Sequence, residues 1–414
     1  MGRHSLPDDA TGASGGAARV AAPARTVALA LALVLAVAAG TAVAVQRGLL
    51  SLRRSCAATA VRLDLVASPD VAPAVRAVAD RARRERITSD GSCMDVRVSA
   101  RDSFEVAASF ASPARPDFSV WIPDASLWVD RAKDASANVL TAGHIATSPV
   151  TLAAVPAAAV PLGWPAKTYS WAELATATTR DAAPRLGMAD PTRSASGLLA
   201  LSCVGKSAAS TGHGGGARAA ALAALLARRV FTGDAQAVRT LGKGGSGDSQ
   251  ALVVSEQAAF AYNTAHGGDR ALRLFYPTDG APQLDYPYAM VRETRMSTDE
   301  SRAAMRFMTL LGDPESTRVL AAQGFRTPGA PVDGPLAAEA KTSSPQPYAS
   351  ASAQPPSAQD LQDALGMWAS TVRGARLSTV ADTPDPMAMP APGASDRTRR
   401  APLRRPVEGQ PRRA

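Results

Sequence analysis

From Val61 onward, short apolar runs alternate with stretches in which apolar residues recur every three or four positions. That pattern predicts strands joined by crossover helices, and hence an α/β fold on a largely parallel sheet. Val61–Ala67 alternates with period two, Ser68-Pro69-Asp70 turns the chain, and a helix is expected from Val71 to Arg86 with Asp70 as its N-cap. Cys93–Ser99 reads as the second strand, Ser103–Ala111 as the second helix and Phe118–Ile122 as the third strand. After Pro149 a new apolar strand, Val150–Val155, opens a second lobe. That lobe takes in Arg185–Ala189, a helix from about Ser194, an Ala-rich helix Ala217–Val230 and the strand Ala251–Ser255. Leu272–Tyr276, Tyr286–Val291 and helices from Thr298 and Pro314 are expected to return to the first lobe, giving two chain crossings.

The ends of the chain follow other rules. Val27–Val45 is an uncharged run of 19 residues between Arg25 and Arg47, and as a helix it matches the ~30 Å hydrocarbon core of a bilayer. Its length and 26-residue polar leader favour a retained anchor at 27–46, with 1–26 as a disordered cytoplasmic tail, over a cleaved signal peptide. Basic residues flank both sides, so the positive-inside count does not decide orientation. Residues 327–358 are rich in Pro, Ala, Ser and Gln without apolar periodicity, and a linker is placed at 331–360. Leu361–Thr371, with Trp368, reads as a short amphipathic helix, and 396–414 as a basic disordered tail.

Charge first suggests nucleic acid, since the formal net charge is +9. Six arginines against two aspartates in residues 1–54 and seven arginines against Asp396 and Glu408 in 396–414 account for all of it. The part between is formally neutral, which removes nucleic acid as a partner and leaves basic ends suited to solvent or anionic lipid. Three cysteines cannot build a disulfide scaffold. Pairing of Cys56 with Cys93 would place the first lobe in an oxidising compartment, with Cys203 as a buried thiol.

No motif proposes an enzyme. Gly242-Lys-Gly-Gly-Ser-Gly247 has the letters of a dinucleotide loop but is followed by a strand where a helix is required, so it reads as a surface loop, as does Gly212–Gly216. No G-x-S-x-G elbow, H-E-x-x-H pair or Walker loop occurs, and His4, His144, His213 and His266 are widely spaced. Four turns at strand ends do carry small hydroxyls: Ser68-Pro69-Asp70, Asp102-Ser103, Ser148-Pro149-Val150 and Asp190–Gly197. Each taken singly is a turn or cap residue, but their coincidence at the ligand-presenting edge of an open sheet points to a cleft, to which Arg193 could add a charge. Trp121, Trp128, Trp164 and Trp171 read as core or hinge packing.

Val66–Asp70, Trp121–Val129, Ser148–Val150, Leu162–Pro165, Ser170-Trp171, Leu186–Leu199, Ser255–Gln257 and Leu284–Tyr288, in that order, resemble the extracellular solute-binding domain of actinobacterial membrane proteins. They are more distantly similar to molybdate-binding and other type II periplasmic binding proteins. The resemblance covers 56–330 and implies two α/β lobes, about 56–149 with 272–330 and about 150–271, closing on a small solute or oxyanion by hinge motion. It implies Ser68, Ser103, Ser148, Ser194 and Ser255 as ligand-binding residues, a Cys56–Cys93 disulfide, and neither cofactor, metal nor catalysis. Many such proteins continue into a von Willebrand factor type A domain. Here Leu377–Ala381 resembles the approach to its first strand, but Asp382-Thr-Pro-Asp-Pro386 has proline where the metal-binding serines belong, so 361–395 is expected to be a remnant. The main expectation is thus a single-pass membrane protein with an extracellular solute-binding domain. The alternative is a cell-surface module that has lost solute binding and holds a membrane or surface protein partner.

Overall fold

In a computed structural model, residues 60–177, 184–210, 212, 214–241, 249–291, 296–327 and 354–381 are described. The expected anchor, Cys56, the loop at 242–247, residues 331–353 of the expected linker, residues 382–395 and both basic tails lie outside them. Among the described residues no helix is long and apolar enough to cross a membrane.

The first lobe is built on strands β1 (Val61–Ala67), β2 (Thr88–Ser89), β3 (Ser92–Ala100), β4 (Val120–Ile122), β5 (Val139–His144) and β12 (Pro287–Val291) in the order β2-β3-β1-β4-β12-β5. β1 runs parallel to β3 and β4, whereas β12 is antiparallel to β4 and β5. The second lobe uses β6 (Ser148–Ala154), β7 (Leu186–Ala189), β8 (Val230–Phe231), β9 (Ala251–Ser255) and β10 (Arg273–Phe275) in the order β10-β6-β9-β7-β8, with β11 (Gln283–Leu284) on β6. Both sheets are therefore mixed rather than largely parallel. A strand that enters after a lobe crossing arrives from the hinge end, so β6 and β12 run against their neighbours. The return to the first lobe also comes later than the apolar pattern suggested. Leu272–Tyr276 contributes β10, hydrogen-bonded to β6, and the chain crosses back only between β11 and β12.

Crossover helices α1 (Ala72–Arg84), α2 (Ser103–Ser109) and α3 (Ser126–Asp134) cover the first sheet together with α10 (Thr298–Leu311) and α11 (Pro314–Ala322). α1 has proline in its first turn and three arginines in its last, and buries Val75, Val78, Ala79 and Ala82. Asp70 does not cap it. The N-cap is Val71, and the Asp70 carboxylate is committed elsewhere. α10 starts with a complete capping box, Ser297 with Glu300. The second lobe carries α4 (Pro156–Ala159), α5 (Trp171–Ala177), α6 (Ala195–Ser210), α7 (Gly215–Leu226), α8 (Asp234–Val238) and α9 (Glu256–His266). α6 has small residues on most faces and is buried over nearly its whole length. Gly197 in its first turn lies so close to β7 that an added Cβ would stand 2.2 Å from the Ala189 carbonyl oxygen. Trp121, Trp128 and Trp171 are buried, in line with core packing.

A C-terminal helix, α12 (Ala358–Ala381), packs on α6 and α7. Ala364 and Trp368 are buried against them, Lys206 pairs with Asp360 at 2.7 Å, and Ser357 and Asp360 cap the first turn reciprocally. The Lys206 hydrogen bond holds the Asp360 carboxyl down to about 2. This corrects two expectations. Residues 358–360, placed in the expected linker, open this helix, and Leu377–Ala381 is helix where an approach to a strand was read. Leu361 and Trp368, about two turns apart, find an apolar surface on the second lobe, and Ala-rich sequence propagates the helix from there. Cys93 on β3 is disulfide-bonded and Cys203 is a free, buried thiol whose pKa burial pushes up to about 12.

Candidate ligand-binding cleft

The strand ends of the two sheets face each other across a cavity of about 1290 Å³. The β1–α1 turn brings Ser68 and Asp70, the β3–α2 turn Ser103, and the end of β4 Asp124. The opposite wall is the start of α6 with Ser194 and Ser196, the β8–α8 turn with Asp234, and the β9–α9 junction with Ser255. Four of the five expected serines, Ser68, Ser103, Ser194 and Ser255, thus line one cavity. Ser148 does not. It is fully buried at the start of β6, and its hydroxyl accepts the Gln257 N–H at 3.0 Å, joining β6 to α9 behind the cleft wall. A strand that begins at the hinge places its first residue in the hinge and not at the ligand edge.

The serines are already engaged. Ser68 Oγ donates to Asp70 Oδ1 at 2.5 Å, while its N–H donates to the Ile122 carbonyl at 2.8 Å and ties β1 to β4. Asp70 also accepts the Val71 N–H at 2.9 Å and the hydroxyl of Tyr286. Ser103 Oγ accepts the Asp124 N–H at 3.2 Å. Ser194 and Ser196 share a hydroxyl hydrogen bond of 2.8 Å, and Ser196 donates onward to Asp234 Oδ1. Asp234 Oδ2 accepts the Ser255 N–H at 2.8 Å, and Ser255 Oγ caps α9 by accepting from the Ala258 N–H. The hydroxyl hydrogens of Ser68 and Ser196 therefore point at carboxylates of the protein rather than at the cavity.

Those carboxylates decide the electrostatics. Asp70, Asp124 and Asp234 border the cavity, and none forms a salt bridge among the described residues. Burial, and then the charge of Asp70, push the Asp124 carboxyl up to about 7 against nearby Ser103 and Trp128, with Asp234 adding to the rise. Asp124 Oδ1 is sealed from solvent and has no hydrogen-bond partner. Burial also raises Asp234, opposed by its bonds to Ser196 and Ser255, and Asp70 adds repulsion from the other lobe. Tyr286 is pushed well above the usual tyrosine range by burial and by Asp70. Arg193 is engaged across the mouth, 3.2 Å from Glu105 and with its guanidinium 5.0 Å from the Phe104 ring centre. Among the described residues no group of three His, Cys, Asp or Glu could hold a metal ion.

Sequence reasoning named Asp70 for a cap and missed Asp124, Asp234 and Ser196 as cleft residues. Asp124 and Ser196 sit inside quoted motifs, so their neighbourhood was flagged. Asp234 follows Gly233 in a two-residue turn with no local signal.

Behind the cleft, Arg326 makes two hydrogen bonds of 2.8 and 2.6 Å to Glu256, which also accepts from the Tyr276 hydroxyl. Arg326 pairs with Thr147 through the backbone as well, so this buried group pins the chain returning from α11 to the hinge and to the start of α9.

The model of a bacterial extracellular solute-binding protein matches residues 63–326, nearly two-thirds of the chain. The chain belongs to that family. No functionally curated protein matches it by sequence. Among solved structures, the fold is similar to the sulfate-binding protein SubI from Mycobacterium tuberculosis H37Rv, with a TM-score of 0.51 at 17% identity, covering 76% of this chain and 99% of that one. It is similar to iron-bound HitA from Pseudomonas aeruginosa, with a TM-score of 0.53 at 17% identity, covering 75% and 99%. It is also similar to a periplasmic thiamin binding protein, with a TM-score of 0.53 at 13% identity, covering 76% and 98%. At these identities the likeness concerns the fold, and it establishes the α/β two-lobed arrangement of a type II periplasmic binding protein.

Proposed function

We propose that the chain is a membrane-tethered, extracellular solute-binding protein that holds one small solute between its lobes and does no chemistry on it. The observation that carries this reading is the hollow cavity between opposed strand ends, lined from both lobes by polar side chains. A module that had lost solute binding for a protein partner would be expected to have filled that space with side chains. Sulfate, iron and thiamin, named for structures of the same fold, illustrate how varied the solutes of such a cleft are. The tether would be the apolar run 27–46, and a Cys56–Cys93 bond would fasten its base to β3.

Thermal melts of the purified protein against a panel of oxyanions, sugars, amino acids and amines test the binding. At a hundredfold excess over Kd a ligand stabilises by about 2.7 kcal/mol, and absence of a shift with every member would overturn the reading. Labelling of intact cells with a membrane-impermeant amine reagent tests the topology, and protection of the lysines in 60–330 would overturn an extracellular domain.

A further inference from the structure

The cleft described above has the wrong sign for an anion. Ser68 and Ser196, the hydroxyls best placed to donate to an oxyanion, donate to Asp70 and Asp234. The arginines bordering the cavity offer no countercharge at its centre, since Arg193 is paired with Glu105 and Arg239 and Arg270 are exposed. Among the described residues five aspartates line the cavity without a salt-bridge partner; Asp102 caps α2 and Asp269 is exposed, which leaves Asp70 and Asp124 on the first lobe and Asp234 on the second. One of their oxygens, Asp124 Oδ1, is shut off from water and has no hydrogen-bond partner, and the same holds for the nearby Trp128 Nε1, so this carboxylate is left without a compensating charge.

We infer that the cleft takes a small organic cation, an amine, amidine or guanidinium, seated between Asp70 and Asp124 on one lobe and Asp234 on the other. This inference rests on the solute-binding reading and adds the class of solute. A bare metal ion is disfavoured because the three carboxylates do not converge as a metal-binding group, whereas an organic cation spreads several N–H donors over a longer span. Closure supplies the coupling. Bringing the lobes together drives Asp234 toward Asp70 and Asp124, and like charges oppose that motion unless a cation lies between them. The proton-retaining behaviour of Asp124 and Asp234 without ligand agrees with carboxylates that lack a countercharge.

The test is calorimetric titration and thermal melting of the full chain in detergent with putrescine, agmatine, L-arginine, sulfate, molybdate, glucose and Mn²⁺ at pH 6. Saturable binding of at least one organic cation is expected, weakened at least tenfold in Asp124→Asn and in Asp234→Asn, with both variants keeping the far-ultraviolet spectrum of the parent. Binding should also release protons, read as a dependence of the observed enthalpy on the ionisation enthalpy of the buffer. Cation binding without proton release, or with undiminished affinity in both variants, overturns the seat. Saturable binding of sulfate, molybdate, glucose or Mn²⁺ alone overturns the cation class and leaves solute binding standing, whereas no binding of any probe overturns both.

Discussion

Replacing Asp124 by asparagine should stabilise the protein without ligand, by an amount that grows as pH rises above about 4 and levels off above neutrality. In the folded chain the Asp124 carboxyl titrates at about 7, against 3.8 as its ordinary value. Below about pH 4 the side chain is protonated folded or unfolded, so it costs nothing. As pH rises toward 7 the unfolded chain gives up this proton while the fold retains it, and stability falls until the folded group ionises too. The interval from 3.8 to about 7, at roughly 1.4 kcal/mol per pH unit, sets the penalty above neutrality on the order of 4 kcal/mol. Asparagine keeps the shape and cannot ionise, so at pH 8 the variant should exceed the parent by a few kcal/mol, on the order of 10 °C in Tm for a domain of this size. At pH 4 the two should coincide within about 1 kcal/mol. Asp234 shifts in the same direction, and Asp95, Asp117, Asp313 and Asp360 are held below their ordinary values, but these groups are present in both proteins and largely cancel in the difference. Guanidinium melts of both proteins at half-unit steps from pH 4 to 8 give the two curves. Parallel curves, or a variant weaker at pH 8, would refute the claim that Asp124 is an uncompensated buried acid.

Three further outcomes follow from particular contacts. Ser148→Ala should cost about 1 kcal/mol in a denaturant melt, through the lost partner of the Gln257 N–H, and leave ligand affinity unchanged, because the residue stands outside the cavity. Gly197→Ala should cost about 3 kcal/mol or more in the same assay, since its Cβ would meet the Ala189 carbonyl and push α6 off β7. Trp368→Ala should detach α12 from the second lobe, read as rapid tryptic cleavage at Arg373 with ligand binding retained.

What the sequence disclosed and what it concealed divide along physical lines. β1, β3 and the start of α2 were legible because each carries its own period and its own turn chemistry, as in Val61–Ala67 followed by Ser68-Pro69-Asp70. The assignment of β10 to the second lobe was not legible. Three residues of apolar pattern say that a strand exists, and only its hydrogen bonds to β6 say which sheet receives it. α12 was half legible for a similar reason. The apolar stripe through Leu361 and Trp368 announces a helix, but the surface that receives it is made by α6 and α7, far away in sequence.

The sign of the cleft is the extreme case. Hydroxyls at strand ends are a local signal, and reading them predicted a grip for a small polar solute or oxyanion. Their chemistry, however, is set by what they donate to. Asp70 stands two residues from Ser68, close enough to be read as a helix cap, because Ser-x-Asp is common at helix starts. Asp234 reaches Ser196 only because β8 pairs with β7, which delivers the Gly233-Asp234 turn to the start of α6. Asp124 joins them because β4 lies beside β1 with its end at the same edge. No window of sequence holds more than one of the three. The same serines beside lysines or free amides would suit an anion, so the charge of the bound solute is a property of the sheet order rather than of any motif.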